Sequence, residues 1–402
     1  MTTSVHEPVT TPPEVTGTAT ALLDDYRPGS DRFLATPHRT LLGHGTAVEL
    51  PHADGPLSVR VRDLLDARRR AGQTAVVMGA LPFDPAAAPA LAVPRRVRWA
   101  PPLREDPLIA LPVPPGADAT AWQVREVPAA KEYGAAVAAA VARMRAGEFD
   151  KVVLARTLEL TGPVAPDLTA MLRRLARRDP AGYTFAVPSG PGRTLIGASP
   201  ELLVARDGSR LTANPLAGSA PRSGDLAEDV RRAAALLESP KDLHEHAVVV
   251  AAVREALAPF CTHLDVPERP TLVRTAAMWH LSTTVTGELA DPAATTALDL
   301  ASALHPTPAV CGTPTELARQ VIAESEPFDR GAYTGMVGWQ NADGDGEWVV
   351  TIRCAEAEGD AEGGLLRLFA GAGVVAASSP EAETAETGAK FRTFLNAVGA
   401  TL

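Results

Sequence analysis

Near the end of this 402-residue sequence, Pro380 to Lys390 reads as the opening of a helix in which Glu383, Glu386 and Lys390 stand at i, i+3 and i+7. That spacing puts two carboxylates and one ammonium on a single face, while Phe391, Phe394, Leu395 and Val398 supply an apolar stripe to hold the helix down. Two carboxylates facing a cavity suit a hard divalent cation such as magnesium. Just upstream, Gly371-Ala372-Gly373 is expected to be a loop whose backbone can approach an anion and offer N–H groups to it, with Lys390 adding charge for an organic carboxylate. The competing reading is that acidic residues in a first turn merely complement the helix dipole.

Three further stretches carry candidate chemistry. In Lys241-Asp242-Leu243-His244-Glu245-His246 the carboxylates of Asp242 and Glu245 again lie at i, i+3 near a helix start, either facing a metal or capping the first turn. The two histidines at i, i+2 diverge on a helix, which argues against zinc. Lys151 heads a run of Val and Leu. It is either an exposed edge lysine or, if enclosed, an amine whose neutral form desolvation favours and which can act as a general base. Glu201, in Gly197-Ala198-Ser199-Pro200-Glu201-Leu202, is either a solvated loop charge or a carboxyl at the lip of a strand.

The elements that must position these groups alternate between helical and strand patterns. Ser58 to Arg70, with Ser58 as N-cap, and Ala129 to Gly147 read as helices, as do Asp167 to Arg178, Asp225 to Glu238 and Leu243 to Leu257. Strand patterns run over Thr74–Leu81, Lys151–Leu160, Tyr183–Val187, Glu201–Arg206, Met336–Gln340, Glu347–Cys354 and Leu365–Ala370. Ser189 to Arg193 reads as a hairpin turn, and the Pro-rich stretch from Pro101 to Ala119 as an extended strap. This interleaving predicts a mixed α/β (α+β) fold with large sheets. Residues 1–30 are expected to be a flexible tail and residues 31–402 one large domain. A net charge of −10 argues against a nucleic-acid surface, and an anionic substrate must be drawn by a local cluster of Arg and Lys. Cys261, Cys311 and Cys354 show neither disulfide-framework nor zinc spacing. No apolar run approaches the roughly 18 residues of a membrane span. A cytoplasmic monomer is the expectation.

Taken together, from about Trp122 to Val398, these stretches resemble the chorismate-utilising enzymes, the family of anthranilate synthase component I, aminodeoxychorismate synthase, isochorismate synthase and salicylate synthase. The resemblance is carried by Phe149–Leu154, Gly197–Leu202, Pro215–Ser219, Lys241–His246, Met278–Leu281, Leu304–Ala309, Phe328–Tyr333, Ile352–Cys354 and Ala370–Gly373. It implies large antiparallel-rich sheets in two halves flanked by helices. The site would lie between them, with magnesium bridging protein carboxylates and the ring carboxylate of chorismate.

By position, the resemblance implies that Glu245 and Glu386 hold the metal, supported by Asp242 and Glu383. Gly371, Ala372, Gly373 and Lys390 would meet the ring carboxylate, Arg353 and Tyr333 the enolpyruvyl carboxylate, and Gly218, Ser219, His280, Ala309 and Val310 the ring. Lys151 stands where ammonia-using members carry glutamine, so water would be activated. Ala217 stands where aminodeoxychorismate synthase carries a nucleophilic lysine. Ala309 is the small-residue form that looks like isochorismate synthase. The implied reaction is hydroxyl exchange on the ring, with Lys151 as base and Glu201 as acid, feeding catecholate siderophore (2,3-dihydroxybenzoate) or menaquinone biosynthesis. A salicylate synthase, and a non-catalytic chorismate-binding protein, are the alternatives.

Overall fold

A computed structural model describes residues 15–112, 122–360 and 363–398, with the backbone alone at 393, 397 and 398. Among the described residues the strands form sheets of ten, nine and three members, with every strand-to-strand pairing antiparallel. The mixed α/β architecture with large antiparallel sheets is therefore as expected.

The two large sheets pack face to face. Leu34, Phe185, Leu195 and Phe369 of the ten-stranded sheet meet Met78, Val337, Trp339 and Val349 of the nine-stranded one in a shared buried layer. On the outer face of the first sheet lie the helices Ala19–Asp24, Leu168–Arg178 and Pro380–Val398, and on that of the second Leu57–Arg70, Pro240–Leu257 and Ala297–Leu304. Each sheet thus buries one face on its partner and the other on helices, which removes apolar surface from water on both sides.

The chain passes between the two sheets at a few short links, and these links bear on the site. Arg193–Ser199 belongs to the first sheet and Leu202–Asp207 to the second, so Pro200 and Glu201 form a crossing. Gly346–Val350 and Cys354–Gly359 are joined likewise by residues 351–353. Hence the expected continuous strand from Glu347 to Cys354 is in fact two strands of different sheets. Arg353 turns between them at φ 52°, a left-handed conformation that costs a non-glycine residue about 1 kcal/mol or more.

Several expectations need correction. The tail is not loose beyond residue 14. Thr18 caps the Ala19–Asp24 helix, whose Leu22 and Leu23 are fully buried, and Val15 bridges to Trp99. Burial of two leucines there outweighs a Thr- and Pro-rich composition. Residues 1–14 lie outside the described ones. The Leu57–Arg70 helix starts from Pro56 and has no side-chain cap, so Ser58 sits inside it. The Pro-rich strap holds two 3₁₀ turns, Leu103–Glu105 and Pro107–Ala110, and residues 113–121 lie outside the described set. The 189–193 hairpin is present.

Candidate active site

The Lys151–Gly162 strand runs beside Gly364–Val375 over its whole length, with Lys151 opposite Val375 and Val153 opposite Gly373. Gly371, Ala372 and Gly373 therefore belong to a strand and not to a loop, because the pairing extends well past the expected end at Ala370. Pairing of Gly364–Val375 with Cys354–Gly359 stops at Leu368, and beyond it the Gly371 carbonyl accepts a hydrogen bond from Lys390 Nζ at 2.8 Å. Strand alternation turns Ala372 to the opposite side, where it is buried away from the cavity. Absence of a side chain matters at Gly373, where a Cβ would come within 2.8 Å of Glu245 Oε1.

A cavity of about 280 Å³ opens at this strand pair and at the Pro240–Leu257 and Pro380–Val398 helices. Its walls include Glu201, Gly218, Ser219, Asp242, Glu245, His280, Ala309, Val310, Tyr333, Arg353, Gly371, Gly373, Glu386 and Lys390. Of the residues singled out in the sequence, Lys151, Ala372 and Glu383 are not on the wall. Lys151 is nonetheless only 3% exposed, so it is no edge lysine, and its Nζ lies 2.7 Å from Glu245 Oε1 directly behind the wall. Glu383 is buried beside Glu386.

Electrostatics divides these groups by role. Burial pushes the Glu201 carboxyl up to about 8, against the opposing pull of the Leu216 N–H and the charges of Lys151 and Arg353. A carboxyl so placed is a proton donor near neutrality. Burial also raises Glu383, which the neighbouring charge of Glu386 raises further. For Glu386 burial is outweighed by Lys390, Lys241 and Arg353, which hold it below the usual carboxylate range. Arg353 is depressed by burial, with Glu386, Tyr333 and Glu201 acting the other way, and its guanidinium makes no hydrogen bond among the described residues. A desolvated guanidinium on a cavity wall could receive a carboxylate. His280 is driven well below its usual value by burial and then by Arg353 and Lys390, and its buried Nε2 has no hydrogen-bond partner among the described residues.

The carboxylates provide a donor set but not a formed cage. Among the described residues no group of three or more His, Cys, Asp or Glu side chains is gathered closely enough to hold a metal ion. Glu245 is held by Lys151, Glu386 by Lys390 at 2.6 Å, and Asp242 by Ser239 at 2.5 Å. Asp242, Glu245 and Glu386 still line one cavity, and the buried Glu383 beside the partly exposed Glu386 favours added positive charge. An all-oxygen set of this kind fits a hard divalent ion.

Sequence reasoning assigned no role to Lys241, Phe369 or Arg330. Lys241 lines the cavity and acts on Glu386. Phe369 stacks on Tyr333 at 4.8 Å and 9°, fixing one wall. The signal for Lys241 was its position beside Asp242 in the acidic helix start, and for Arg330 the motif that contains Tyr333.

A raised carboxyl, a guanidinium and three carboxylates line one cavity with an enclosed amine behind it, an arrangement that suits an enzyme site. The chorismate binding enzyme family matches residues 111–399, and the chain belongs to that family. The chain is similar to isochorismate synthase DhbC of Bacillus subtilis, 52% identical over 390 residues covering 94% of this chain and 96% of the relative. It is 41% identical to the vibriobactin-specific isochorismate synthase of Vibrio cholerae, with 94% of each chain covered. The solved structure of DhbC from Bacillus anthracis superposes with a TM-score of 0.87 at 47% identity, covering 95% of this chain and all of that one. Anthranilate synthase component I from Streptococcus pneumoniae shares the fold, at TM-score 0.71 and 21% identity over 89% of this chain and 92% of that one.

Proposed function

We propose that this chain is a magnesium-dependent isochorismate synthase, converting chorismate reversibly to isochorismate. The observation that carries the reading is that Glu201 and Arg353 line one cavity while the buried Lys151 stands directly behind its Glu245 wall: a buried acid, a buried amine and a guanidinium with no hydrogen bond among the described residues.

Arg353 receives the enolpyruvyl carboxylate, with Tyr333 beside it, and Lys390 with the Gly371–Gly373 edge faces the ring carboxylate. Lys151 takes a proton from water as the water oxygen bonds to the ring carbon next to the carboxylate-bearing one. The ring double bonds shift, the original carbon–oxygen bond breaks, and Glu201 gives its proton to the departing hydroxyl, which leaves as water. Water enters and water leaves, so the net change is an isomerisation. Glu245 and Glu386 would hold magnesium, with Asp242 and Glu383 in support, and the bound ion would supply positive charge for the ring carboxylate. His280, uncharged, brings no further positive charge to the ring, and the small Ala309 leaves the ring room.

The likeness to DhbC and to the vibriobactin-specific enzyme supports a place in catecholate siderophore supply. A menaquinone role is the second reading, favoured by 45% identity to MenF of Mycobacterium tuberculosis over 82% of this chain and 88% of that one. The test is chromatography of the products formed from chorismate and magnesium. Isochorismate as the product is expected, whereas salicylate alone, or no turnover, would overturn the assignment.

A further inference from the structure

We propose that Arg330 is a positioning residue for this reaction, a single guanidinium that sets three walls of the cavity relative to one another. The inference rests on the isochorismate synthase reading.

Arg330 lies outside the cavity lining, and both it and Glu326 have side chains only 3% exposed. Its Nε and one terminal nitrogen donate to Glu326 at 2.8 and 2.5 Å. The remaining donors do not stay within the helix end. One reaches the Val153 carbonyl at 2.7 Å, and another reaches the Val310 carbonyl at 2.9 Å and the Thr334 hydroxyl at 3.1 Å. The Arg330 carbonyl accepts the Tyr333 N–H at 2.8 Å, and Glu326 accepts the Ala155 N–H at 2.8 Å. The guanidinium also lies over Phe83, 4.7 Å from the ring centroid.

The three segments so tied all carry lining residues. Val153 is two residues along the strand from Lys151, Val310 follows Ala309 beside the ring, and Tyr333 stands next to Arg353. They are distant in sequence, and no single strand register fixes all three. A buried ion pair of this kind adds little net stability compared with apolar packing of equal volume. What the planar fork adds is fixed direction, because its donors are rigid relative to one another whereas a lysine ammonium is a point charge on a flexible stem. The metal-facing residues Asp242, Glu245 and Glu386 sit on other elements, and Arg330 bonds to none of them. A positioning role therefore predicts lost chemistry with retained metal binding.

The experiment compares wild type with Arg330→Lys, Thr334→Val and Thr334→Ser, measuring kcat and KM with chorismate, magnesium affinity by calorimetry, and folding by circular dichroism. Folded Arg330→Lys is expected to lose roughly 10- to 100-fold in kcat, the scale of a 1 Å misplacement, with magnesium affinity unchanged. Thr334→Val, which removes one acceptor of the fork, should lose several-fold in kcat, and Thr334→Ser should restore it. Wild-type kinetics in folded Arg330→Lys, or magnesium binding that falls in step with kcat, would overturn the role. Should Arg330→Lys not fold, the two Thr334 variants decide, and equal kinetics in both overturn it. Wild type that does not turn over chorismate sinks the functional reading instead, a distinct result from active wild type with undisturbed variants.

Discussion

The Lys151 Nζ lies 2.7 Å from Glu245 Oε1, with side-chain exposures of 4% and 15%. The residue read as the base and a residue read as a metal ligand are thus each other's partner, and Gly373 provides the space in which they meet. Breaking a buried pair from one side leaves the other charge stranded, at a cost of about 3–5 kcal/mol when fully enclosed.

For this reason Lys151→Ala should be destabilised as well as inactive. Turnover is expected to fall by about 10²- to 10⁴-fold, the usual contribution of a general base, while chorismate binding through Arg353 and Lys390 stays measurable by calorimetry. Full activity in this variant would refute the base assignment.

Metal dependence should be lost by substitution on either helix. Glu245→Ala and Glu386→Ala remove carboxylates contributed by the Pro240–Leu257 and Pro380–Val398 helices, and each should weaken magnesium binding by roughly 10-fold or more. Titration of magnesium against the folded variants without substrate checks this. An unchanged titration in both would exclude these carboxylates as ligands.

Adding one methyl at Gly373 tests the same space without changing charge. The new Cβ would lie 2.8 Å from Glu245 Oε1 and 3.3 Å from Lys151 Cε, so Gly373→Ala must displace the carboxylate or the amine. Overpacking of this kind costs about 1–3 kcal/mol. Both the melting temperature and magnesium affinity are expected to fall, and a variant with neither change would show that the pair has room to spare.

The pH profile should report Glu201. Its carboxyl is raised by burial from 4.5 to about 8, and forward turnover needs the protonated form, so kcat/KM should decline as pH rises through about 8. Stability follows the same sign. The contribution from burying a neutral carboxyl is complete below about 4.5 and is lost as pH rises to about 8, since the fold must then hold a charge. Glu201→Gln should be inactive, yet its melting temperature relative to wild type should climb over that interval. A difference independent of pH would refute the assignment.

These groups were unequally legible in the sequence. Acidic pairs at i, i+3 can be read from helical periodicity, and Pro380 and the burial of Phe391, Phe394 and Leu395 place that helix as expected. The Val398 side chain lies outside the described residues. Burial of Lys151 was not decided by its own strand pattern, because enclosure comes from the distant Glu245 and Gly373. The crossings at residues 200–201 and 351–353 were hidden for another reason. Trp348, Val349, Val350, Thr351 and Ile352 all favour strand, and the change of sheet depends on backbone angles that side-chain alternation does not encode. Arg330 escaped because the acceptors that tie it to distant segments, at Val153 and Val310, are backbone carbonyls, which every sequence position offers.

Arg353 provides the sharpest separation of function from stability. Its guanidinium is buried enough to be depressed and has no hydrogen bond among the described residues, and its backbone is held in a left-handed turn. Removing it breaks no hydrogen bond among the described residues and relieves a desolvated charge, at the cost of its attraction for Glu386 and Glu201, so Arg353→Gln should fold with a melting temperature close to that of wild type. Substrate affinity should fall. A charge-assisted pair with a carboxylate contributes about 1.5–3 kcal/mol, so loss of Arg353 should weaken chorismate binding by roughly 10- to 100-fold. Lost affinity with little change in stability is what a binding group held ready for an anion requires. Loss of stability with unchanged KM would instead make Arg353 a structural cation.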